Sequence, residues 1–144
     1  MEKVYLDSAA TTQMRPEVIT KITEVMQENY GNPSSTHSFG RSAKSLIERA
    51  RKTIAKQLNV TAAEIIFTSG GTEADNLALN SAVRDLGVRR IITSEIEHHA
   101  VLYCVNQLKD CFDIEVEYVK LTAEGEVDLE DLGNRLEHSD VKTL

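Results

Sequence analysis

Phe67-Thr68-Ser69-Gly70-Gly71-Thr72-Glu73-Ala74-Asp75-Asn76 lies where an apolar run gives way to a helical pattern. Before it, Ala63-Glu64-Ile65-Ile66-Phe67-Thr68 has the β-branched and aromatic character of a short buried strand. After it, Ala74, Leu77, Ala78, Ala82, Val83 and Leu86 recur at helical spacing. The stretch predicts a strand that meets a helix through Ser-Gly-Gly-Thr. Two glycines free the backbone to turn sharply and to approach a ligand closely. The helix that follows aims its unpaired N–H groups and the positive end of its dipole at the same turn. Such a junction suits an anion, above all a phosphate. The competing reading is a tight turn at Gly70-Gly71 with Thr72 capping the helix. No Gly-Lys-Ser/Thr follows, as a Walker loop would need, and the third spaced glycine of a dinucleotide fingerprint is missing. A nucleotide is disfavoured, and a small phosphate-bearing cofactor stays open.

Upstream, Val4-Tyr5-Leu6 is strand-like. Asp7-Ser8-Ala9-Ala10-Thr11-Thr12 after it suits either a loop beside a ligand or a packed turn. Pro16 stands at a first helical position, and Val18, Ile19, Ile22, Val25 and Met26 make one apolar face reaching towards Tyr30, where Gly31 and Pro33 stop the helix. Gly31-Asn32-Pro33-Ser34-Ser35-Thr36-His37-Ser38-Phe39-Gly40 is a loop dense in turn formers, either a spacer or a set of hydrogen-bonding groups. Residues 41–58 predict a helix with Ala43, Leu46, Ile47, Ala50, Ile54 and Leu58 on one stripe and basic side chains opposite, read as a solvated face. Thr61-Ala62-Ala63-Glu64 has the form of a capping box.

Downstream, a helix ending near Gly87 leads to Arg90-Ile91-Ile92-Thr93-Ser94, a second buried strand, with Glu95-Ile96-Glu97-His98-His99 at its C-terminal end. Ala100, Val101, Cys104, Val105 and Leu108 mark another amphipathic helix. Ile114, Val116 and Tyr118 alternate with Glu115 and Glu117, as in a strand with one wet face. Leu129, Leu132 and Leu136 mark a last short helix, and Val141-Lys142-Thr143-Leu144 begins one more strand. The fold class is therefore α/β, a mostly parallel sheet with flanking helices. The expected division is an N-terminal segment at 1–15, a helical region at 16–60 and the first part of an α/β domain at 61–144. Ligands of such sheets bind beyond the carboxyl ends of the strands, so residues 69–72 and 97–99 converge on one site.

A chain of 144 residues, 41% hydrophobic and 27% charged, has the composition of one globular domain. Its net charge of −7 argues against a nucleic-acid binder or a peripheral membrane protein, because both usually carry basic patches. No apolar run approaches a membrane span, and Met1-Glu2-Lys3 opens no signal core, which points to the cytoplasm. Cys104 and Cys111, seven residues apart, share one helix face and are expected to be buried and reduced. The histidines at 37, 98, 99 and 138 form no metal motif.

Four stretches taken in order resemble the cysteine desulfurases, within the class V group of aminotransferase-like enzymes that use pyridoxal 5'-phosphate (PLP). They are Tyr5-Leu6-Asp7-Ser8-Ala9-Ala10-Thr11-Thr12, Gly31-Asn32-Pro33-Ser34-Ser35-Thr36-His37, Ser69-Gly70-Gly71-Thr72-Glu73 and Glu97-His98-His99-Ala100-Val101. Any one is weak, but all four in this order are specific. The resemblance runs the length of the chain and corresponds to the N-terminal part of the family's usual protein. It implies part of the large domain of a fold type I PLP-dependent transferase. It implies that Gly71 and Thr72 bind the cofactor phosphate through backbone N–H and hydroxyl. His98 would stack on the pyridine ring and help move protons, tasks that suit a flat group titrating near neutral pH. The residues alone leave His98 or His99 as exposed helix-start residues, and His99 keeps that reading.

The reaction implied is removal of sulfur from L-cysteine, giving L-alanine and an enzyme persulfide for iron-sulfur cluster or thiocofactor assembly. The implied partners are a sulfur-acceptor or scaffold protein and, in the full-length enzyme, a second copy in a homodimer. The family's Schiff-base lysine, its pyridine-pairing aspartate and its nucleophilic cysteine are expected beyond residue 144, so these residues alone are expected to be inactive. Cys104 lies in an apolar helical pattern and is not that nucleophile, and none of Lys109, Lys120 or Lys142 occupies the lysine position. Two alternatives stay open: a selenocysteine lyase or other class V enzyme, and a non-catalytic α/β module that pairs with a partner chain. Unpaired sheet edges predict association with another copy or with the remainder of such an enzyme.

Overall fold

The structure, a computed structural model, describes residues 3–137 and 140–144, so His138 falls outside the described residues. The chain divides into two compact units, Met1–Ile66 and Phe67–Leu144.

In the first unit, helix α1 (Pro16–Glu28) starts on Pro16, whose ring presets the helical φ and whose missing N–H would be unpaired there anyway. Helix α2 (Ser38–Leu58) begins three residues before the expected Arg41, because His37 caps it: its Nδ1 accepts from the Gly40 N–H at 3.4 Å. Phe39 in that first turn stacks on Tyr30, with ring centroids 5.6 Å apart. α2 ends at Asn59, whose left-handed φ of 56° is one that asparagine tolerates. The expected capping box is present around the 3-10 turn Ala62–Glu64. There the Glu64 carboxylate accepts from both the N–H (2.8 Å) and the hydroxyl (2.7 Å) of Thr61, the backbone bond first, and is held below the usual carboxylate range.

Gly40 is a packing requirement. A Cβ there would run into the carbonyl oxygens of Ser35 and Asn32, because loop 31–37 lies directly on the first turn of α2. Gly40→Ala is expected to cost about 1–3 kcal/mol through overpacking, read as a lower midpoint in thermal unfolding.

Two expected strands are absent among the described residues. Residues 4–6 are irregular, and the Tyr5 hydroxyl donates instead to the carbonyls of Asp7 (2.9 Å) and Thr11 (3.2 Å), closing a local turn. Of the strand expected at 63–68, Ala63 and Glu64 lie in the 3-10 turn and residues 65–68 belong to no strand, and Arg51 of α2 donates to the Ile65 carbonyl. β character makes a strand only where a neighbouring backbone supplies the ladder, and neither segment has one among the described residues.

The second unit runs α3 (Gly71–Arg84), β1 (Arg90–Thr93), α4 (His99–Cys111), β2 (Glu115–Tyr118) and α5 (Leu129–Glu137). β1 and β2 pair in parallel, with Arg90 opposite Glu115 and Thr93 opposite Tyr118. The expected last strand is reduced to a parallel bridge between Arg90 and Thr143, flanked by bonds from Leu144 N to Arg90 O (3.0 Å) and from Ile92 N to Leu144 O (2.9 Å). The core gathers Ala82 and Val83 of α3, Val88, Ile91 of β1, Cys104, Val105 and Leu108 of α4, and Ile114. Complete burial of Val83, Val105 and Leu108 contributes about 1.5–3 kcal/mol each.

The face of β2 expected to be wet is partly covered. Glu117 accepts from Arg90 Nε (2.5 Å) and from Arg135 Nη1 of α5 (2.5 Å), Arg90 Nη1 donates to the Arg135 carbonyl (2.8 Å), and Arg135 Nε donates to Asp131 (2.6 Å). Asp131 also accepts from the Lys120 N–H at 3.0 Å. This cluster latches α5 to the two strands. Cys111 departs from expectation as well: it ends α4 and is exposed, while Cys104, about two turns earlier in the packed seam, is buried, and both are free thiols.

Candidate functional site

Helix α3 opens without a side-chain cap. Gly70 precedes it in an extended conformation (φ 172°, ψ −179°) that any residue can adopt, and the first helical bond runs from Ala74 N to Gly70 O at 3.1 Å. The turn therefore does not depend on glycine flexibility, contrary to the sequence-based argument. The space beside both glycines is open: a Cβ at Gly70 or at Gly71 would meet no atom within 4 Å. The N–H groups of Gly71 and Thr72 belong to the opening turn of the helix, where the peptide dipoles favour negative charge, and Thr72 is exposed there.

The carboxylate in the first turn of α3 is engaged by the preceding residues. Glu73 reaches back to accept from the Ser69 hydroxyl (2.6 Å) and the Ser69 N–H (2.6 Å), and these bonds, the hydroxyl first, hold it below the ordinary carboxylate range. The Thr68 hydroxyl donates to Gly70 O at 3.1 Å, bracing the turn from the other side.

His98 is the N-cap of α4. Its Nδ1 accepts from the Ala100 N–H at 3.1 Å, so a neutral ring carries its proton on Nε2. His99 starts the helix proper and lies over Tyr103, with centroids 5.2 Å apart and planes at 11°. The two helix starts are joined: Asn76 Nδ2 donates to Thr72 O at 2.8 Å and to Ala100 O at 3.4 Å. Thr72 and His98 are thus joined through Asn76 and Ala100 within the second unit, with Gly71 next to Thr72 in the chain. Asn76 and its counterpart Asn80, which donates to Cys104 Sγ at 3.4 Å, went unnoticed as linkers in the sequence. The available signal was two asparagines spaced i, i+4 in a helix whose other inward positions are apolar.

Burial pushes the Cys104 thiol up, with the Asn80 bond opposing, and a 2% exposed thiol is no nucleophile. Among the described residues no three His, Cys, Asp or Glu side chains gather to hold a metal, and no helix is long and apolar enough to cross a membrane. The remaining two motifs lie in the first unit beside hollows of their own, one lined by Tyr5, Thr11, Thr12 and Gln13 and the other by residues that include Gly31, Ser38 and Phe39.

The family described as class V aminotransferase matches residues 4–143. The chain is 45% identical over 136 residues to the cysteine desulfurase IscS of Dictyoglomus turgidum, covering 93% of this chain and 34% of that protein. It is 41% identical over 145 residues to the selenocysteine lyase of Xenopus laevis, covering 90% of this chain and 34% of that protein. A solved NifS-like protein superposes with a TM-score of 0.84 at 36% identity, over 99% of this chain and 39% of that one. The chain spans about a third of the length of the curated relatives it matches. The family match runs through nearly all of the chain, which belongs to the class V aminotransferase family and is similar to its IscS-like cysteine desulfurases.

Proposed function

We propose that this chain supplies the phosphate-holding and ring-facing side of the active site in a PLP-dependent enzyme that removes sulfur from L-cysteine, giving L-alanine and an enzyme persulfide for iron-sulfur cluster or thiocofactor assembly. The observation that carries this reading is the uncapped start of α3 joined through Asn76 to the residue that His98 caps. The N–H groups of Gly71 and Thr72 and the Thr72 hydroxyl would hold the phosphate, in the open space where a Cβ on Gly71 meets nothing. When bound, the cofactor supplies an electron sink for chemistry at the substrate's amino-acid carbon skeleton. His98 would face the cofactor ring. Its Nδ1 is engaged by Ala100, so Nε2 is the atom that can hold or release a proton.

In this reading residues 61–144 open the large PLP-binding domain and residues 16–60 form a helical region before it, in a cytoplasmic homodimer that passes sulfur to an acceptor or scaffold protein. The family's lysine and nucleophilic cysteine have no counterpart among these residues, so the 144-residue chain binds the cofactor without turnover. The Xenopus laevis relative keeps a selenocysteine lyase as the second reading.

The test is titration of the purified chain with PLP and with pyridoxal, followed by visible absorption. Retention of PLP about tenfold or more above pyridoxal is expected, because charge-assisted bonds to a dianion exceed about 1.5 kcal/mol each. Equal retention of the two would defeat the phosphate-site assignment.

A further inference from the structure

We infer that Asn76 is a positioning residue: its carboxamide sets the start of α4, and with it the His98 ring, against the amide-rich start of α3. The inference rests on the cofactor reading above and deepens it. Four groups form a continuous run. Asn76 Nδ2 donates one hydrogen to Thr72 O (2.8 Å) and the other to Ala100 O (3.4 Å), and Ala100 N donates to His98 Nδ1 (3.1 Å). Ala100 is the junction, its carbonyl held by α3 and its N–H holding the imidazole. Both acceptors of Asn76 are carbonyl oxygens, so only the amide nitrogen can face them.

Asn80 repeats the device one turn later. Its Nδ2 donates to Asn76 O at 2.9 Å and to Cys104 Sγ at 3.4 Å. Both cross-helix contacts join residues 24 apart, so they are two rungs in the same register. A single rung would let α4 pivot, whereas two rungs a turn apart set its axial position. The apolar seam beyond them, Ala82 and Val83 with Val105 and Leu108, is non-directional and cannot by itself define that position. Asparagine is a poor residue for a helix interior, because its side chain competes for backbone hydrogen bonds. Here the side chain bonds its own helix four residues back and reaches a carbonyl of the second helix as well.

The experiment has two arms, both on the 144-residue chain. In the first, without cofactor, NMR follows Ala100 amide exchange and the His98 ring in wild type, Asn76→Asp and Asn80→Asp. Aspartate keeps the shape and removes the donor. Asn76→Asp is expected to speed Ala100 exchange by about tenfold or more and to shift the His98 ring signals, while Asn80→Asp changes the exchange by less than about threefold. Unchanged Ala100 and His98 signals in Asn76→Asp, or equal effects of the two variants, would overturn the inference. Should Asn76→Asp not fold, wild type still decides. The Asn76 side-chain amide should exchange more slowly than that of exposed Asn106, and equal rates would overturn the inference.

The second arm titrates PLP and inorganic phosphate. Asn76→Asp should weaken PLP by about tenfold, leave phosphate within about threefold, and show no further loss when His98→Ala is added. Additive losses from the two substitutions would assign Asn76 a purely structural role. Failure of wild type to prefer PLP over pyridoxal would remove the cofactor reading alone, since the first arm needs no cofactor.

Discussion

Thr72→Asp is expected to leave α3 as stable as before or slightly more so, and to abolish retention of PLP. Thr72 is the second residue of the helix, where a carboxylate interacts favourably with the helix dipole by about 0.3–1 kcal/mol. The same carboxylate would stand among the N–H groups assigned to the phosphate. Two like charges about 4 Å apart near a protein surface repel by roughly 4 kcal/mol per unit charge, a loss of about a thousandfold before salt screening. The native Glu73 avoids this conflict by turning back onto Ser69. Thermal unfolding and PLP titration of the same preparation give the two readouts. A variant that kept PLP would remove the dianion from this helix end, and a variant that lost both stability and PLP would say only that Thr72 is structural.

The second large effect concerns the latch on α5. Arg90→Met should cost about 2–4 kcal/mol, somewhat below the range for breaking a fully buried ion pair, because Glu117 keeps 21% of its side chain exposed while Arg90 keeps 7%. A domain of this size commands only about 5–15 kcal/mol in all, so the change should be plain in denaturant unfolding. Adding Glu117→Leu to Arg90→Met should recover part of the loss, since no poorly paired carboxylate then remains and Arg135 keeps Asp131 at 2.6 Å.

The latch also carries a pH signature. The Arg90 bond, then that of Arg135, holds Glu117 below its usual value of 4.5, and chiefly the Arg135 bond takes Asp131 from 3.8 to about 2. A carboxylate whose pKa falls on folding stabilises the fold above its unfolded value and loses that contribution as pH drops towards the folded value. Wild-type stability should therefore be flat above about pH 5 and decline towards pH 2, with a shallower decline in Arg90→Met. A wild-type profile flat across that interval would contradict the latch.

Much of this arrangement was legible in the residues. Helical periodicity located all five α-helices of the described residues, and Pro16 and the Thr61–Glu64 box marked their places because caps and ring geometry act within one turn of chain. Motif order pointed to the family, while the parallel-sheet rule that sent residues 69–72 and 97–99 to one site assumed a strand before residue 69 that is not formed among the described residues; what joins the two helix starts is the bond from Asn76 to Ala100. The strand expected at 63–68 failed for a reason outside the segment. Its β-branched residues describe a surface that could pair, and pairing requires a second backbone. Glu117 likewise looked wet from alternation alone, since only α5, folded back across the strands, brings Arg135 to it.

By itself, then, the sequence determined what depends on near neighbours: helix periods, helix starts and the family motifs. Tertiary structure decided which polar groups meet across elements. Nothing local to Asn76 says that its amide reaches Ala100, 24 residues on, and nothing local to His98 says that Nδ1 is spent on a cap. Hydrogen bonds are short and directional, so these choices exist only once α3 and α4 are packed side by side.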